Sequence, residues 1–394
     1  MKTRSFILIA IMFISFGCDG EEETTPLVKK ENKSNEDKPL ATLPEIRKTR
    51  LMKGVNLSHW FAQQKNNDLT KEYINGRFSE ADFNFIKDGG FTYVRLSVDE
   101  RILLIEPNIL NQEYLTELDG FIQKFLDLGV AVLFDFHPNN DFKDKVHTSS
   151  AYATGIKQFW GKLAKHLNKF DPNFLFLEVM NEPMAVNAED WNLVQKDWVT
   201  EIRKNAPQHT IVVDGNLRIT ENDWDDVAAL LSIEPFADKN IVYNFHTYQP
   251  FAFTHQGATW GWEVSQHTVG LKYPMDKDNA TSLKNKHKDK IEVGWAMDDY
   301  IKQGWNKERI KTLLKPAADW ANTNGLFVTV NEFGSYYTSN SNGKEAYIKD
   351  IREAMDELSI GWAVWDYDEG FGVAVSDDNG AIKFENGMKQ ALGL

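Results

Sequence analysis

The sequence predicts a (β/α)8 TIM barrel of the α/β class. From residue 51 onward, short apolar runs alternate with longer amphipathic runs, which is the pattern of a parallel sheet with crossover helices. Eight such apolar runs, together with the segments between them, span about 340 residues, which fits eight βα units with some enlarged loops. A doubly wound open sheet is the second choice, because no GxGxxG or GxxxxGK[ST] loop follows the first run.

The predicted strands are apolar along most of their length, as expected of strands covered on both faces. In chain order they are residues 51–58, 91–98, 130–137, 174–182, 210–216, 240–248, 326–334 and 361–368. Helices are predicted between them where an amphipathic run begins near a polar residue, and several of these runs end in glycine. They include residues 79–90, 113–129, 189–206 and 306–325. The largest insertion, residues 249–304, follows the sixth strand.

The N-terminus predicts export. Lys2 and Arg4 precede the apolar run of residues 6–16, which is too short to span a bilayer but is suitable for the core of a signal peptide. Residues 1–17 are therefore expected to be removed. Residues 18–45 are polar, charged and free of aromatic side chains, so they are predicted to form a flexible linker ahead of a domain at residues 46–394.

The end of the apolar run resembles a bacterial lipoprotein signal. In such signals the cysteine that follows the run becomes the lipidated first residue, and Cys18 stands in that position. Ser15 and Phe16 depart from the pattern, which prefers leucine and a small residue there. The resemblance implies a lipid anchor at the bacterial outer membrane or cell surface, and ordinary secretion is the alternative. Cys18 is the only cysteine, which excludes disulfides within the chain.

The charge excludes one class of partner. The formal net charge is −14 and no basic stripe occurs, so a nucleic-acid partner is not expected. We expect a monomer whose membrane contact is limited to its lipid. No cofactor or metal is expected either, because the sequence has no HExxH or CxxC pattern.

The predicted strands end in polar or aromatic side chains. In a barrel the catalytic groups lie at the C-terminal ends of the strands, so these residues are the candidate site. They are Asn56, Arg95, His137, Asn181 with Glu182, Asn216, His246 with Tyr248, Glu332, and Trp365 with Asp366. A single polar residue here is readily explained as the end of a strand. The complete set, with two carboxylates, an arginine, two histidines and a tyrosine, is hard to explain in that way.

Glu182 and Glu332 end the fourth and seventh strands, so they should face each other across the barrel mouth. A pair of facing carboxylates suits cleavage of a glycosidic bond, in which one protonates the leaving oxygen and the other attacks the sugar. Arg95 and Tyr248 are expected to hold Glu332 ionised. Glu182, near His246, is expected to keep its proton.

The neighbouring side chains have expected roles in sugar binding. Asn181 could donate to a sugar 2-hydroxyl, His137 could bind a hydroxyl or orient its neighbours, and Trp365 could form a stacking floor. Asn56 is expected to support them. Glu178 lies within a buried strand, where a carboxylate is costly unless paired, so we expect it to meet a cation or a hydroxyl.

The ordered set resembles glycoside hydrolase family 5, a retaining family with the (β/α)8 fold. The resemblance rests on VMNEP at residues 179–183 and TVNEFG at residues 329–334, with Arg95 in VRLS, His137 in DFHP, His246 and Tyr248 in FHTY, and Trp365 in VWDYD. It implies that Glu182 is the acid/base and Glu332 the nucleophile. The stretch QPFAFTHQGATW is similar to a segment of some bacterial members, and its Trp260 is either a subsite wall or a buried packing residue.

The resemblance implies a β-linked polysaccharide or oligosaccharide as substrate. An endo-β-1,4-glucanase is the first choice, and a β-mannanase or an exo- or endo-β-1,3-glucanase is the alternative. A non-catalytic surface glycan-binding lipoprotein is the alternative of another class. The insertion at residues 249–304 could close one end of the cleft and favour exo action, or lengthen the cleft.

Overall fold

Eight parallel strands close into a barrel, as the sequence predicts. The computed structural model describes residues 42–220, 225–377 and 379–394. Each strand pairs with the next along the chain, and the eighth pairs with the first. They are β1 Lys53–Leu57, β2 Tyr93–Val98, β3 Ala131–Phe136, β4 Leu175–Glu178, β5 Thr210–Asp214, β6 Ile241–His246, β7 Val328–Phe333 and β8 Gly361–Val364.

Helices surround the barrel. Within the described ranges the α-helices are Glu45–Arg50, Lys71–Gly76, Glu80–Gly89, Glu100–Leu103, Leu115–Asp127, Asn140–Thr148, Ser150–Leu167, Ala188–Asn205, Asp226–Leu231, Phe251–Thr254, Lys277–Lys286, Ile291–Gln303, Lys307–Asn324, Lys344–Glu357 and Met388–Ala391. Short 3-10 helices are Lys65–Asn67, Glu263–His267 and Tyr337–Asn342. Two small hairpins pair Leu104–Glu106 with Ile109–Leu110 and Ala374–Ser376 with Ile382–Phe384. The four helices predicted from the sequence begin and end within two residues of their predicted bounds.

Side-chain caps explain where the predicted helices begin and end. Ser79 and Asp82 form a capping box at the first of them, in which each side chain accepts a hydrogen bond from the backbone N–H of the other residue. At the start of Lys307–Asn324 the Asn306 side chain accepts a hydrogen bond from a backbone N–H of the first turn. Gly325 ends that helix with φ 64°, a left-handed conformation that glycine adopts without a steric penalty.

The lower part of the barrel interior is apolar. A cluster of inward-facing side chains fills it: Leu51, Tyr93, Ala131, Leu133, Phe176, Val212, Val242 and Ala363. Gly54 makes room for the Tyr93 ring, because a Cβ on Gly54 would lie 2.4 Å from the Cζ atom of that ring. The outward faces of the strands pack with the helices in a second, larger apolar cluster. These two clusters hold the strand ends in a fixed arrangement above them.

The insertion after β6 is folded. It contains the helices Phe251–Thr254, Lys277–Lys286 and Ile291–Gln303 and a 3-10 helix between the first two. Side chains from both of its ends, including Phe251, Trp260 and Gln303, line the cleft at the barrel mouth. The insertion therefore forms one wall of that cleft.

The predictions for the N-terminus fall outside the described residues. The signal peptide at residues 1–17, the lipidated Cys18 and nearly all of the linker at residues 18–45 lie there, and Glu45 already begins the first described helix. In the part of the chain that the structure describes, none of the helices combines the length and apolar character needed to cross a membrane.

Candidate active site

Glu182 and Glu332 face each other at the C-terminal mouth of the barrel, as the sequence analysis expects. A carboxylate oxygen of each lies within 4.8 Å of the other. Both side chains line a cleft with a volume of about 720 Å³. These two oxygens are no farther apart than the carboxyl groups of retaining glycosidases, at about 5–5.5 Å, and are nearer than those of inverting ones, at ~6.5–9.5 Å.

The backbone at Glu182 has an unusual conformation. Its φ of 43° lies in the left-handed region, which residues with a Cβ enter at a cost of about 1–3 kcal/mol. β4 ends at Glu178, and Pro183, which cannot donate a ladder hydrogen bond, follows Glu182. The chain thus leaves the sheet here, while the Glu182 side chain stays at the cleft. One of its oxygens, Oε1, lies 3.0 Å from Nδ1 of His246.

Glu332 is held by two donors. Nη1 of Arg95 donates to Oε1 of Glu332 at 2.6 Å, and the hydroxyl of Tyr248 donates to Oε2 at 2.8 Å. Glu332 is 4% exposed and Arg95 is fully buried, so water competes little with these bonds. The carboxylate is therefore fixed in orientation through both of its oxygens.

Arg95 is shared among three carboxylates. Its Nε and Nη2 donate to the two oxygens of Glu178 at 2.8 and 2.6 Å, and Nη2 also lies 3.0 Å from Asp135 Oδ2. Burial opposes the charge of Arg95, but Asp135, Glu178 and Glu332 raise its pKa well above the ordinary value. Glu178 thus points into the barrel and meets a cation, which confirms the expectation drawn from its position in a buried strand.

Asn56 and Asn181 orient Arg95. Oδ1 of each accepts a hydrogen bond from the guanidinium, at 3.0 and 2.9 Å. The amide of Asn56 also donates to the backbone oxygen of Asn331 at 2.8 Å, and Asn56 is fully buried. Asn56 therefore supports the site from below the cleft. Nδ2 of Asn181 lies 3.1 Å from Nε2 of His137 and carries a second N–H for a ligand.

His137 and Trp365 form a stacked pair. Their ring centroids are 5.8 Å apart with an interplanar angle of 18°. Nδ1 of His137 lies 2.7 Å from Oδ2 of Asp135, which sets the orientation of the imidazole. Trp365 lines the cleft, and its role as a stacking floor stays a prediction. Sequence reasoning missed Asp135, although it stands two residues before His137 in a strand and so faces the same side.

The structure corrects the expected protonation of Glu182. Burial alone would raise the pKa of Glu182, but the hydrogen bond and charge of His246 lower it to about 2. Burial opposes the charge on His246, but Glu332 and the bond to Glu182 raise the pKa of that imidazole. The expectation that Glu182 keeps its proton beside His246 was therefore wrong for the unliganded site. An imidazole next to a carboxyl group stabilises the carboxylate and takes the proton itself.

Glu182, His246 and Glu332 also have the composition of a metal site. Each offers one ligand atom, and these atoms lie within 4.8 Å of one another. Both oxygens of Glu332 already accept hydrogen bonds, and one donor is the permanently charged Arg95. A cation bound to this carboxylate would meet the guanidinium charge at close range, so the donor set fits a metal poorly.

Trp260 lies at the surface of the cleft. Half of its surface is exposed, and its ring lies nearly perpendicular to that of His255, with centroids 5.3 Å apart. Phe371 packs against both rings. The alternative of a buried packing tryptophan is thereby excluded. His255 was not singled out from the sequence, because its place in the cleft depends on how the insertion folds. Phe371 was missed because it lies in the loop after β8, beyond the predicted end of that strand.

The barrel, the paired carboxylates and the cleft that they share belong to a glycoside hydrolase, since this arrangement suits the cleavage of a glycosidic bond. Residues 52–370 match the sequence model of one family, described as cellulase (glycosyl hydrolase family 5). The chain belongs to that family.

Two of the curated relatives that match the chain are named endoglucanases. The chain is 29% identical to Endoglucanase 3 of Fibrobacter succinogenes, over 87% of this chain and 53% of the relative, so it spans about half the length of that protein. It is 27% identical to Endoglucanase C of Acetivibrio thermocellus, over 80% of this chain and 90% of the relative.

Solved structures share the fold. Endoglucanase Cel5A from Thermotoga maritima superposes with a TM-score of 0.69 at 22% identity, covering 88% of this chain and 98% of that one. The cellulose synthase subunit Z of Clostridioides difficile gives 0.67 at 21% identity, covering 86% and 99%.

Proposed function

We propose that the protein is a retaining endo-β-1,4-glucanase in which Glu332 is the nucleophile and Glu182 the acid/base. The observation that carries the proposal is the separation of the two carboxylates, within 4.8 Å, above a shared cleft. That gap leaves no room for the attacking water of an inverting enzyme. The roles are divided according to the surroundings: Glu332 accepts hydrogen bonds from Arg95 and Tyr248, whereas Glu182 lies beside His246.

The first step forms a covalent bond. A Glu332 oxygen attacks C1 of the sugar, the glycosidic C–O bond breaks, and its oxygen leaves with a proton from Glu182. Arg95 and Tyr248 hold the attacking carboxylate in line, and the second N–H of Asn181 is available to the 2-hydroxyl. Trp365 supports the sugar from the side of β8.

The second step reverses the proton flow. Glu182, now a carboxylate, takes a proton from a water molecule that attacks C1, and Glu332 leaves as a free carboxylate. His246 makes both states of Glu182 accessible, because the two groups share one proton across a 3.0 Å contact. The resting site stores that proton on His246.

Two substitutions test the roles. Glu332→Gln should remove nearly all activity on every substrate, because no nucleophile remains. Glu182→Gln should lose activity on polysaccharide but retain turnover on an aryl glycoside whose leaving group departs without a proton. Circular dichroism should show both variants folded. Equal losses on both substrates for Glu182→Gln would contradict the assignment, as would an inverted anomeric product seen by proton NMR.

The names of the relatives support β-1,4-glucan as the substrate. Endoglucanase 3 and Endoglucanase C are both named for internal cleavage of a glucan. The Thermotoga maritima enzyme has been crystallised with cellobiose and also with mannotriose, which keeps mannan as the second candidate. Soluble β-1,4-glucan, β-1,3-glucan and mannan should therefore be compared. Endo action predicts an early fall in viscosity with few reducing ends, whereas early release of one short product would indicate exo action.

The proposed setting is the cell surface. A lipid on Cys18 and the polar segment behind it would place the barrel outside the membrane, where an insoluble or polymeric glucan is found. A non-catalytic glycan binder would need neither the paired carboxylates nor the Arg95 and Tyr248 contacts to one of them. Failure of the wild-type protein to release reducing ends from any glucan or mannan would favour that alternative.

A further inference from the structure

One row of side chains on the helix Ile291–Gln303 runs from the cleft to the outer surface. Gln303 and Asp299 line the cleft. Trp295 and Ile291 precede them at intervals of four residues, so each lies on the turn next to its neighbour in the row, with a rotation of about 40° at each step. The opposite side is buried in the core through Val293, Ala296, Met297 and Tyr300. Trp295 is not itself in the cleft lining, but it lies one helical turn beyond Asp299, which is.

Two apolar side chains of this row are exposed. Trp295 is 63% exposed and Ile291 is 60% exposed, although both belong to a well-packed helix. With a rise of 1.5 Å per residue, Trp295 lies about 6 Å beyond Asp299 and about 12 Å beyond Gln303 along the helix axis. An exposed indole next to a substrate cleft offers a flat apolar face of the kind that stacks on the face of a sugar ring.

The side chains between Trp295 and the catalytic pair can bind hydroxyl groups. Nε2 of Gln303 donates to Asp299 at 3.2 Å, and Nε of Arg309 donates to Oε1 of Gln303 at 3.0 Å. The Arg309 guanidinium lies over the Trp305 ring, 4.9 Å from its centroid. This rim combines planar polar groups with aromatic rings, which suits a saccharide better than an apolar protein surface.

The rim lies on one side of the catalytic pair. Trp365 and Gln63, which follow β8 and β1, line the cleft too, and these two strands lie across the barrel from β5. Leu217 and Val227, which follow β5, line it on the same side as the insertion. With Trp365 beneath the sugar that becomes bonded to the enzyme, the insertion side receives the leaving part of the chain.

We propose that Trp295 is a distal stacking site for the leaving-group side of a long β-glucan chain. The inference rests on the proposed function, since the chain must be cut between Glu182 and Glu332. The rim of Asp299, Gln303 and Arg309 connects the two places. A short substrate cannot reach Trp295, so the site acts only on longer chains.

Trp295→Ala tests the site, with Leu193→Ala as its matched control. Leu193 is 65% exposed on the helix Ala188–Asn205, a different helix from the one that carries Asp299 and Gln303 into the cleft. On soluble β-1,4-glucan we expect Trp295→Ala to lower kcat/KM about threefold to tenfold, in the range of one aromatic contact, and Leu193→Ala to leave it unchanged. On an aryl cellobioside both variants should equal the wild type. Trp295→Phe should recover part of the loss.

Each of the following results would contradict the proposal that Trp295 is a distal stacking site. Equal activity of Trp295→Ala and wild type on the polymer would remove it, and an equal loss on polymer and aryl cellobioside would show a structural role instead. A change limited to self-association in sedimentation would assign the Trp295 surface to protein contact. The proposed function fails separately, if the wild type cleaves no β-1,4-glucan of any length.

Discussion

Replacing His246 with asparagine should shift the alkaline limb of the pH profile of kcat/KM, where activity falls as pH rises, to lower pH. The acid form of Glu182 is needed to protonate the leaving group, and in the resting site that proton is stored on His246. The alkaline limb of kcat/KM should therefore follow the loss of the single proton that the pair shares. Asparagine keeps a polar group near Glu182 but cannot store the proton.

The size of the pH shift follows from the pKa values of His246 and Glu182. The pKa of His246 is raised from the ordinary 6.5, so the wild-type limb should lie above that value. In the variant the proton must stay on Glu182, whose ordinary pKa is 4.5 and which burial raises once the imidazole is gone. We expect the limb to fall by about 1–2 pH units, equivalent to ~1.4–2.7 kcal/mol of proton binding.

The assay is kcat/KM against pH on a β-1,4-glucan oligosaccharide, for wild type and His246→Asn. An aryl glycoside with a good leaving group is the control, because its cleavage needs no acid and the alkaline limb should weaken in both proteins. Thermal melts at each pH would exclude unfolding as the cause. An active His246→Asn variant with an unmoved alkaline limb would refute the shared-proton account.

Four other substitutions test separate features. Arg95→Met should lower the free energy of unfolding by about 3–5 kcal/mol in urea, because it leaves buried carboxylates without their cation. Glu178→Gln should cost much less by the same measurement, since its raised pKa means that burial already disfavours its charge. Tyr248→Phe should lower kcat/KM about 10- to 150-fold without unfolding the protein, because Glu332 loses a charge-assisted hydrogen bond of about 1.5–3 kcal/mol. Cys18→Ser should release the protein from the membrane fraction of cells that export it, and an unchanged fractionation pattern would contradict the lipid anchor.

The barrel could be predicted because its strands and helices have different sequence periods. Strand ends such as His137 and Glu332 could be recognised as one site, since parallel strands bring their C-terminal ends to the same edge. The protonation of Glu182 could not, because it depends on a contact of 3.0 Å between residues 64 positions apart. Trp295 was also missed, because the insertion that carries it has no counterpart in the repeating βα pattern.

The imidazole of His246 is oriented by a layer of buried polar side chains inside the barrel. Asp214 accepts a hydrogen bond from Asn244 at 2.7 Å, and the same amide lies 3.3 Å from Nε2 of His246. That contact fixes one nitrogen of the imidazole and leaves Nδ1 facing Glu182.

Arg95 performs the same task for Glu332, through side chains that come from β1, β3 and β4. Apolar side chains in place of a buried ion pair are often neutral or stabilising by about 1–4 kcal/mol, so such a layer is a poor source of stability. A barrel filled with leucine and valine up to its mouth would fold at least as well. It would leave Glu332 free to turn, because Tyr248 alone would hold one oxygen, and the separation from Glu182 on which retention depends would no longer be fixed.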